Sequence, residues 1–166
     1  FRSTLYALAY GYRRDLLFAA HGERLVVLSD PGMLLDAQGA VDALIEQVID
    51  ALYRTSQNGV PVEIVVRGIC ALRPGMPGVS ENIHVRSILG QFLEHSRIFA
   101  FHNDGDRQVF IGSADMMHRN LDRRVEVMVR VRDSHSTKEL ADIFDSALDP
   151  RTRCWILQSD ASWVAS

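Results

Sequence analysis

The sequence predicts an α/β domain built on a mixed β-sheet. Apolar residues recur at helical spacing from Val41 to Leu52, and a continuous β-branched run follows at Val62–Val66. A helix, a short turn and a buried strand form half of a β-α-β unit, which requires parallel pairing. Hairpin signals further along the chain indicate antiparallel pairing as well, so the predicted sheet is mixed.

The first third of the chain is predicted to alternate short strands with one helix. Leu16–Ala19 and Leu25–Leu28 are apolar runs of strand length. The helix that begins near Val41 is expected to stop at Asn58-Gly59, because glycine accepts the left-handed conformation that ends helices. Val62–Val66 is uniformly apolar, as expected of a strand buried on both faces.

The middle of the chain is predicted to contain a loop, a short helix and a hairpin. Arg73–Asn82 carries two prolines and two glycines and is predicted as a loop. A short helix is predicted for Ser87–Glu94. Two strands, Ser96–His102 and Val109–Gly112, flank a turn at residues 103–106 and should form a hairpin.

The last part of the chain is predicted to form strand, helix and strand. Arg124–Val131 has valines at alternating positions, which is typical of a strand. Ser136 is expected to cap a helix that ends at Asp149-Pro150, with Glu139 completing a capping box. Arg153–Leu157 is predicted as the final strand.

Composition narrows the class of protein. A chain of 166 residues suits a single domain spanning 1–166, and its first residue is not methionine, so we expect it to be part of a longer protein. A net charge of −3 gives no reason to expect nucleic acid as a partner. Cys70 and Cys154 lie far apart and lack metal-type spacing, so we expect reduced thiols in the cytoplasm.

Arg67 and Gly68 stand out because they follow an apolar strand directly. Glycine allows the backbone to approach a ligand closely, and ligands of α/β proteins bind at the carboxyl ends of strands. These residues are therefore candidates for an anion site. The alternative is an arginine that pairs with a structural carboxylate.

His95 and Arg97 form a second candidate, because residues two apart at the start of a strand point to the same side. An imidazole there can donate a proton while a guanidinium holds an anion. Ser113, after the partner strand, could add a hydroxyl and backbone donors. In residues 119–126 acidic residues are interleaved with arginines, which suggests an anion site in which the acids orient the arginines. For any one histidine of the chain, His95 included, a structural role is the commoner case.

These segments resemble the last domain of bacterial polyphosphate kinases, over about residues 46–166. The ending from Leu148-Asp149-Pro150 to Cys154-Trp155 resembles the actinobacterial branch of that family. The motifs stand in order at the family's spacing, and they are Val66-Arg67-Gly68-Ile69-Cys70, Pro74 to Asn82, Val85-Arg86-Ser87-Ile88, Phe92-Leu93-Glu94-His95-Ser96-Arg97, Ser113-Ala114-Asp115 and Arg119 to Glu126.

The resemblance implies a phospholipase D-like mixed sheet flanked by helices. It also implies reversible transfer of the terminal phosphate of ATP to inorganic polyphosphate, through a phosphohistidine and with Mg²⁺. That histidine and the Mg²⁺ ligands are expected outside this chain, so the chain alone should be inactive. The implied partners are ATP and ADP, polyphosphate, the rest of the kinase chain and further copies in a homo-oligomer, in the cytoplasm or in a membrane-associated complex.

The resemblance also implies roles for individual residues. Arg67 matches the family's nucleotide-contacting arginine in a Val-Arg-Gly motif. His95 matches the second histidine of the family, which is not phosphorylated and lies at the nucleotide site, so it is the expected catalytic residue. The expected contacts to phosphate or polyphosphate are Arg97, Ser113, Arg119, Arg123 and Arg124.

The chain departs from the phospholipase D pattern at three places. The His-x-Lys of that pattern is His95-Ser96-Arg97 here, its aspartate position holds His102, and its Gly-Ser-x-Asn ends in Asp115. These changes argue against phosphodiester hydrolysis. Residues 1–45 match the kinase family poorly. Two alternatives remain: a phosphodiesterase assembled from two such halves, and a non-enzymatic module that binds polyanions.

Overall fold

The computed structural model describes residues 25–28, 43–68, 70–88, 94–103, 105–117 and 126–166. Within them it contains two helices, α1 (Ala43–Gln57) and α2 (Ser134–Leu148). The strands are β1 (Leu25–Leu28), β2 (Val62–Val65), β3 (Ile83–Ile88), β4 (Ile98–Phe101), β5 (Gln108–Gly112), β6 (Met128–Val131), β7 (Cys154–Leu157) and β8 (Trp163–Ala165). Neither helix is long and apolar enough to cross a membrane.

All the described strands belong to one mixed sheet in the order β6-β5-β4-β1-β2-β3-β7-β8. β1, β2 and β3 run parallel to one another, and the other neighbouring strands pair antiparallel. Helix α1 lies in the crossover from β1 to β2, because parallel neighbours cannot be joined by a tight turn. The predicted α/β class with a mixed sheet is confirmed.

The core is divided between the two faces of the sheet. Adjacent residues of a strand point to opposite faces, so Ile64 belongs to the cluster that includes Leu52 of α1, whereas Val65 belongs to the one that includes Phe144 of α2. Fully burying a side chain of this size contributes about 1.5–3 kcal/mol. The two helices thus hold the sheet from both sides.

Most local predictions are confirmed. The strand at Leu25–Leu28, the buried strand β2 and the β4–β5 hairpin are present. Helix α1 stops as predicted, since Gly59 has a φ of +78° and its N–H donates to Ser56 O at 2.8 Å. The strand predicted at Leu16–Ala19 lies outside the described residues.

The helix predicted for Ser87–Glu94 is wrong at its start, because Ser87 and Ile88 are the last residues of β3. This strand alternates apolar residues that face the α1 side with His84 and Arg86 on the other face. Residues 89–93 lie outside the described residues. Apolar and polar residues alternate over this strand, which is a strand pattern, and the helix prediction did not take it into account.

Three boundaries near the end of the chain also differ from prediction. Helix α2 is capped by Asp133 and not by Ser136: the carboxylate of Asp133 accepts the Ser136 N–H at 2.8 Å, which lowers the pKa of Asp133. Strand β6 begins only at Met128. β7 is not the last strand, since β8 pairs with it through Leu157 and Trp163.

Candidate functional site

Several strand ends meet at one edge of the sheet, which we call the site edge. Leu28, at the end of β1, pairs with Val65 at the end of β2 and with Ile98 at the start of β4. Ile98 pairs in turn with Ile111 near the end of β5. The segments that follow β2 and β5 and the segment that precedes β4 are therefore neighbours in space.

Arg67 and Gly68 leave β2 at the site edge. Gly68 has a φ of +101°, which L-amino acids with a side chain rarely adopt, and its N–H donates to Ser87 Oγ at 3.2 Å. The Arg67 guanidinium reaches toward the segment before β4, where Nη1 lies 3.5 Å from the carbonyl oxygen of Glu94. The turn after β2 thus brings Arg67 next to the segment that contains His95.

The segment before β4 is held by a local turn. The carboxylate of Glu94 accepts hydrogen bonds from the hydroxyl and from the N–H of Ser96, the latter at 2.9 Å. The hydroxyl bond is the main cause that lowers the pKa of Glu94, and partial burial opposes it. This turn presents His95 at the surface.

Arg97 is held by an ion pair. Its Nε lies 2.6 Å from Oδ1 of Asp115, and the two side chains are only 16% and 7% exposed. Its Nη2 lies 3.4 Å from Nε2 of His95. Asp115 therefore holds the guanidinium from the interior while the outer nitrogen contacts the imidazole.

Ser113 joins the end of β5 to the segment before β6. Its hydroxyl donates to the carboxylate of Glu126 and accepts the N–H of Val127 at 2.9 Å. Its own N–H donates to Val127 O at 2.9 Å. Both the hydroxyl and the backbone donor are thus engaged within the domain.

The structure brings Arg67, His95, Arg97 and Ser113 to the same edge, while Arg119, Arg123 and Arg124 lie outside the described residues. Sequence reasoning missed Asp115 as the partner of Arg97, although the motif Ser113-Ala114-Asp115 contained it. Within the described ranges no group of three or more His, Cys, Asp or Glu residues could hold a metal ion.

Comparison with known proteins agrees with this architecture. The family model described as polyphosphate kinase C-terminal domain 2 matches residues 40–166. A second model, described as an uncharacterized protein conserved in bacteria, matches residues 2–58, which is less than half of the chain.

Curated relatives align along nearly all of the chain. A polyphosphate kinase of Mycolicibacterium gilvum is 58% identical over 99% of this chain and 22% of its own length. A polyphosphate kinase of Mycobacterium leprae is 55% identical over 100% of this chain and 22% of its own length. The chain therefore spans about a fifth of the length of these relatives.

Solved structures agree on the fold. The crystal structure of polyphosphate kinase from Porphyromonas gingivalis matches with a TM-score of 0.72 and 36% identity, over 86% of this chain and 20% of that one. NucT from Helicobacter pylori matches with a TM-score of 0.56 over 76% of this chain and 79% of that one, but at 13% identity it supports the fold alone. The family model and the relatives together show that the chain belongs to the polyphosphate kinase family, as its C-terminal domain.

Proposed function

We propose that this domain supplies the nucleotide-binding side of a site that transfers the terminal phosphate of ATP reversibly to inorganic polyphosphate. The observation that supports it best is the convergence of Arg67 and His95, whose segments meet through the carbonyl oxygen of Glu94. We also propose that residues 1–166 form one domain of a longer kinase chain.

Phosphoryl transfer needs positioned positive charge more than it needs covalent chemistry, because the charge spreads over the oxygens of the transferring group. In the proposed reaction a histidine elsewhere in the kinase attacks the γ-phosphorus and forms a nitrogen–phosphorus bond. The bond to the bridging oxygen breaks, and ADP leaves with the negative charge. A guanidinium beside that oxygen stabilises the charge as it develops.

The residues of this chain have distinct proposed roles. Arg67 binds the phosphate oxygens of the nucleotide through two parallel hydrogen bonds from its guanidinium. His95 donates a hydrogen bond or a proton to the phosphate group. Arg97 adds a second positive charge, and we propose that Ser113 with Arg119, Arg123 and Arg124 lines the path of the polyphosphate chain.

Mg²⁺ is proposed to accompany ATP and to be held by groups outside this chain, where it would neutralise charge on the phosphates. The remaining partners that we propose are ADP, the rest of the kinase chain and other copies of that chain.

The test is to substitute His95→Ala in the complete kinase chain and to follow polyphosphate formation from labelled ATP. We expect kcat to fall by about 10²- to 10⁴-fold, the usual contribution of a positioned proton donor. His135→Ala is the matched control, because that imidazole is exposed on the first turn of α2. Unchanged transfer by the His95 variant would overturn the proposal, and salt-sensitive polyphosphate binding without transfer in the wild type would favour the polyanion-binding alternative.

A further inference from the structure

We infer that Ser87 is a positioning residue that directs Arg67 toward the site edge by holding the turn after β2. The inference rests on the proposed function, in which Arg67 binds the phosphates of the nucleotide, and it makes that function more specific. Ser87 contacts no phosphate in this role, and it acts only through the backbone of Gly68.

The first step is the way in which β2 and β3 separate. The two strands pair as far as Val65 and Arg86, and one more backbone bond follows, from the Val66 N–H to Arg86 O at 2.9 Å. In a parallel ladder every second N–H of a strand bonds to the same neighbour, so the next donor is Gly68. Its N–H binds a side chain and not the backbone, because it donates to Ser87 Oγ at 3.2 Å.

The second step is the position of Ser87 at this separation. Ser87 lies on the same face of β3 as Ile83 and Val85, which is the face toward α1. The chain beyond Gly68 turns onto that face, where Leu72 is fully buried in the same cluster. Ser87 itself is only 8% exposed, so its hydroxyl binds the chain where the chain leaves the sheet for the α1 side.

The third step concerns Arg67, which lies between two bound amides. The Val66 N–H is bound to the backbone of β3, and the Gly68 N–H is bound to Ser87. These two bonds restrict the direction in which the Arg67 side chain leaves the backbone, and its Nη1 lies 3.5 Å from Glu94 O. Without the Ser87 hydroxyl, Gly68 would rotate more freely, because glycine accepts a wider range of φ than other residues.

The test is a double-mutant cycle of Ser87→Ala and Arg67→Ala in the complete kinase chain, measured as KM for ATP. We expect Ser87→Ala alone to raise KM about three- to tenfold, the range of one neutral hydrogen bond, while kcat changes less than about twofold. In a chain that already carries Arg67→Ala, Ser87→Ala should raise KM no further, because the side chain that it directs is gone.

Ser56→Ala is the matched control for a purely structural effect. Ser56 is also buried, and its Oγ also accepts a backbone N–H, that of Asn82 at 3.1 Å, but at the other end of β3. The same chemical change there should weaken the domain by a similar amount and leave KM for ATP within about twofold of the wild type.

Three results would each overturn the inference: an unchanged KM in Ser87→Ala, an equal rise of KM in Ser56→Ala, or a full further rise when Ser87→Ala is added to Arg67→Ala. None of them would contradict the proposed function as long as Arg67→Ala alone raises KM. An unchanged KM in Arg67→Ala would instead end the proposed role of Arg67, whatever Ser87→Ala does.

Discussion

The two ends of the parallel strands are built from different kinds of interaction. At the site edge, charged side chains contact one another, and the largely buried pair of Arg97 and Asp115 lies beneath the exposed His95. At the opposite edge, which we call the loop edge, neutral groups are buried: Ser80 is fully buried, and its hydroxyl donates to Arg73 O at 2.6 Å. Asn82 there binds the end of α1 through Ser56 O at 2.9 Å.

This difference separates function from stability within one sheet. Neutral hydrogen bonds in the interior are costly to leave unmade, so the loop edge should govern folding. The exposed His95 and the partly exposed Arg67 contribute little to folding, so changes at these two residues should act on function first. The predictions below test whether the two edges can be disturbed independently.

Among the variants that compare the two edges, the largest effect is expected at the site edge, on Arg67→Ala. Loss of a charged hydrogen-bond donor to phosphate costs about 1.5–3 kcal/mol of binding, so KM for ATP should rise roughly 10- to 100-fold. The measurement is steady-state kinetics of the complete kinase. Arg132→Ala is the control, because Arg132 is exposed and follows β6 at the loop edge. Equal effects of the two variants would contradict the division between the edges.

A somewhat smaller effect, on stability and not on catalysis, is expected for Ser80→Ala. The change removes the donor to Arg73 O and the acceptor of the Met76 N–H at 3.1 Å, which should cost about 1–3 kcal/mol. Native-state hydrogen exchange of the amides in β3 measures this free energy of opening.

The matched control for that variant is Ser146→Ala, since the Ser146 hydroxyl is exposed on α2 and bonds only within its own helix in the described structure. Its effect should stay within about 0.5 kcal/mol. If Ser80→Ala raised KM for ATP without weakening β3, the loop edge would not be the stabilising one.

The smallest expected effect is on the titration of Glu94. Its pKa is lowered in the folded chain, first by the Ser96 hydroxyl, so this carboxylate favours folding above its unfolded pKa and ceases to do so as pH falls through the folded one. Ser96→Ala should return the pKa of Glu94 toward its ordinary value. Carboxyl-carbon NMR measures the titration, with the exposed Ser159→Ala as control. A titration of Glu94 that is the same in both variants would show that Ser96 does not hold this turn.

The sequence predicted the parts of the fold that depend on near neighbours. Helix α1 and strand β2 follow from apolar periodicity, and the β4–β5 hairpin follows from its turn residues. The end of strand β3 was mistaken for the start of a helix, although the alternation of Ile83 and Val85 with His84 and Arg86 is a strand pattern. Strand β8 is only three residues long, and it is a strand because it pairs with β7. A pairing between two segments cannot be read from the local sequence of either one.

The candidate site shows the same limit. The position of Arg67 at a strand end and the two-residue spacing of His95 and Arg97 were visible in the sequence, and the family resemblance gave them roles. The ion pair between Arg97 and Asp115 joins residues 18 positions apart. It depends on the register of β4 against β5, which only the folded sheet determines.

The positive φ of Gly68, in the turn after β2, determines which residues could replace this glycine. A methyl group added there would meet nothing within 4 Å, yet the φ of +101° disfavours any L-residue. The chirality of an L-residue, and not the size of its side chain, therefore restricts which residues position 68 accepts. D-alanine introduced by chemical ligation should keep the chain's exit from β2, and with it the direction of Arg67, whereas L-alanine should turn both away.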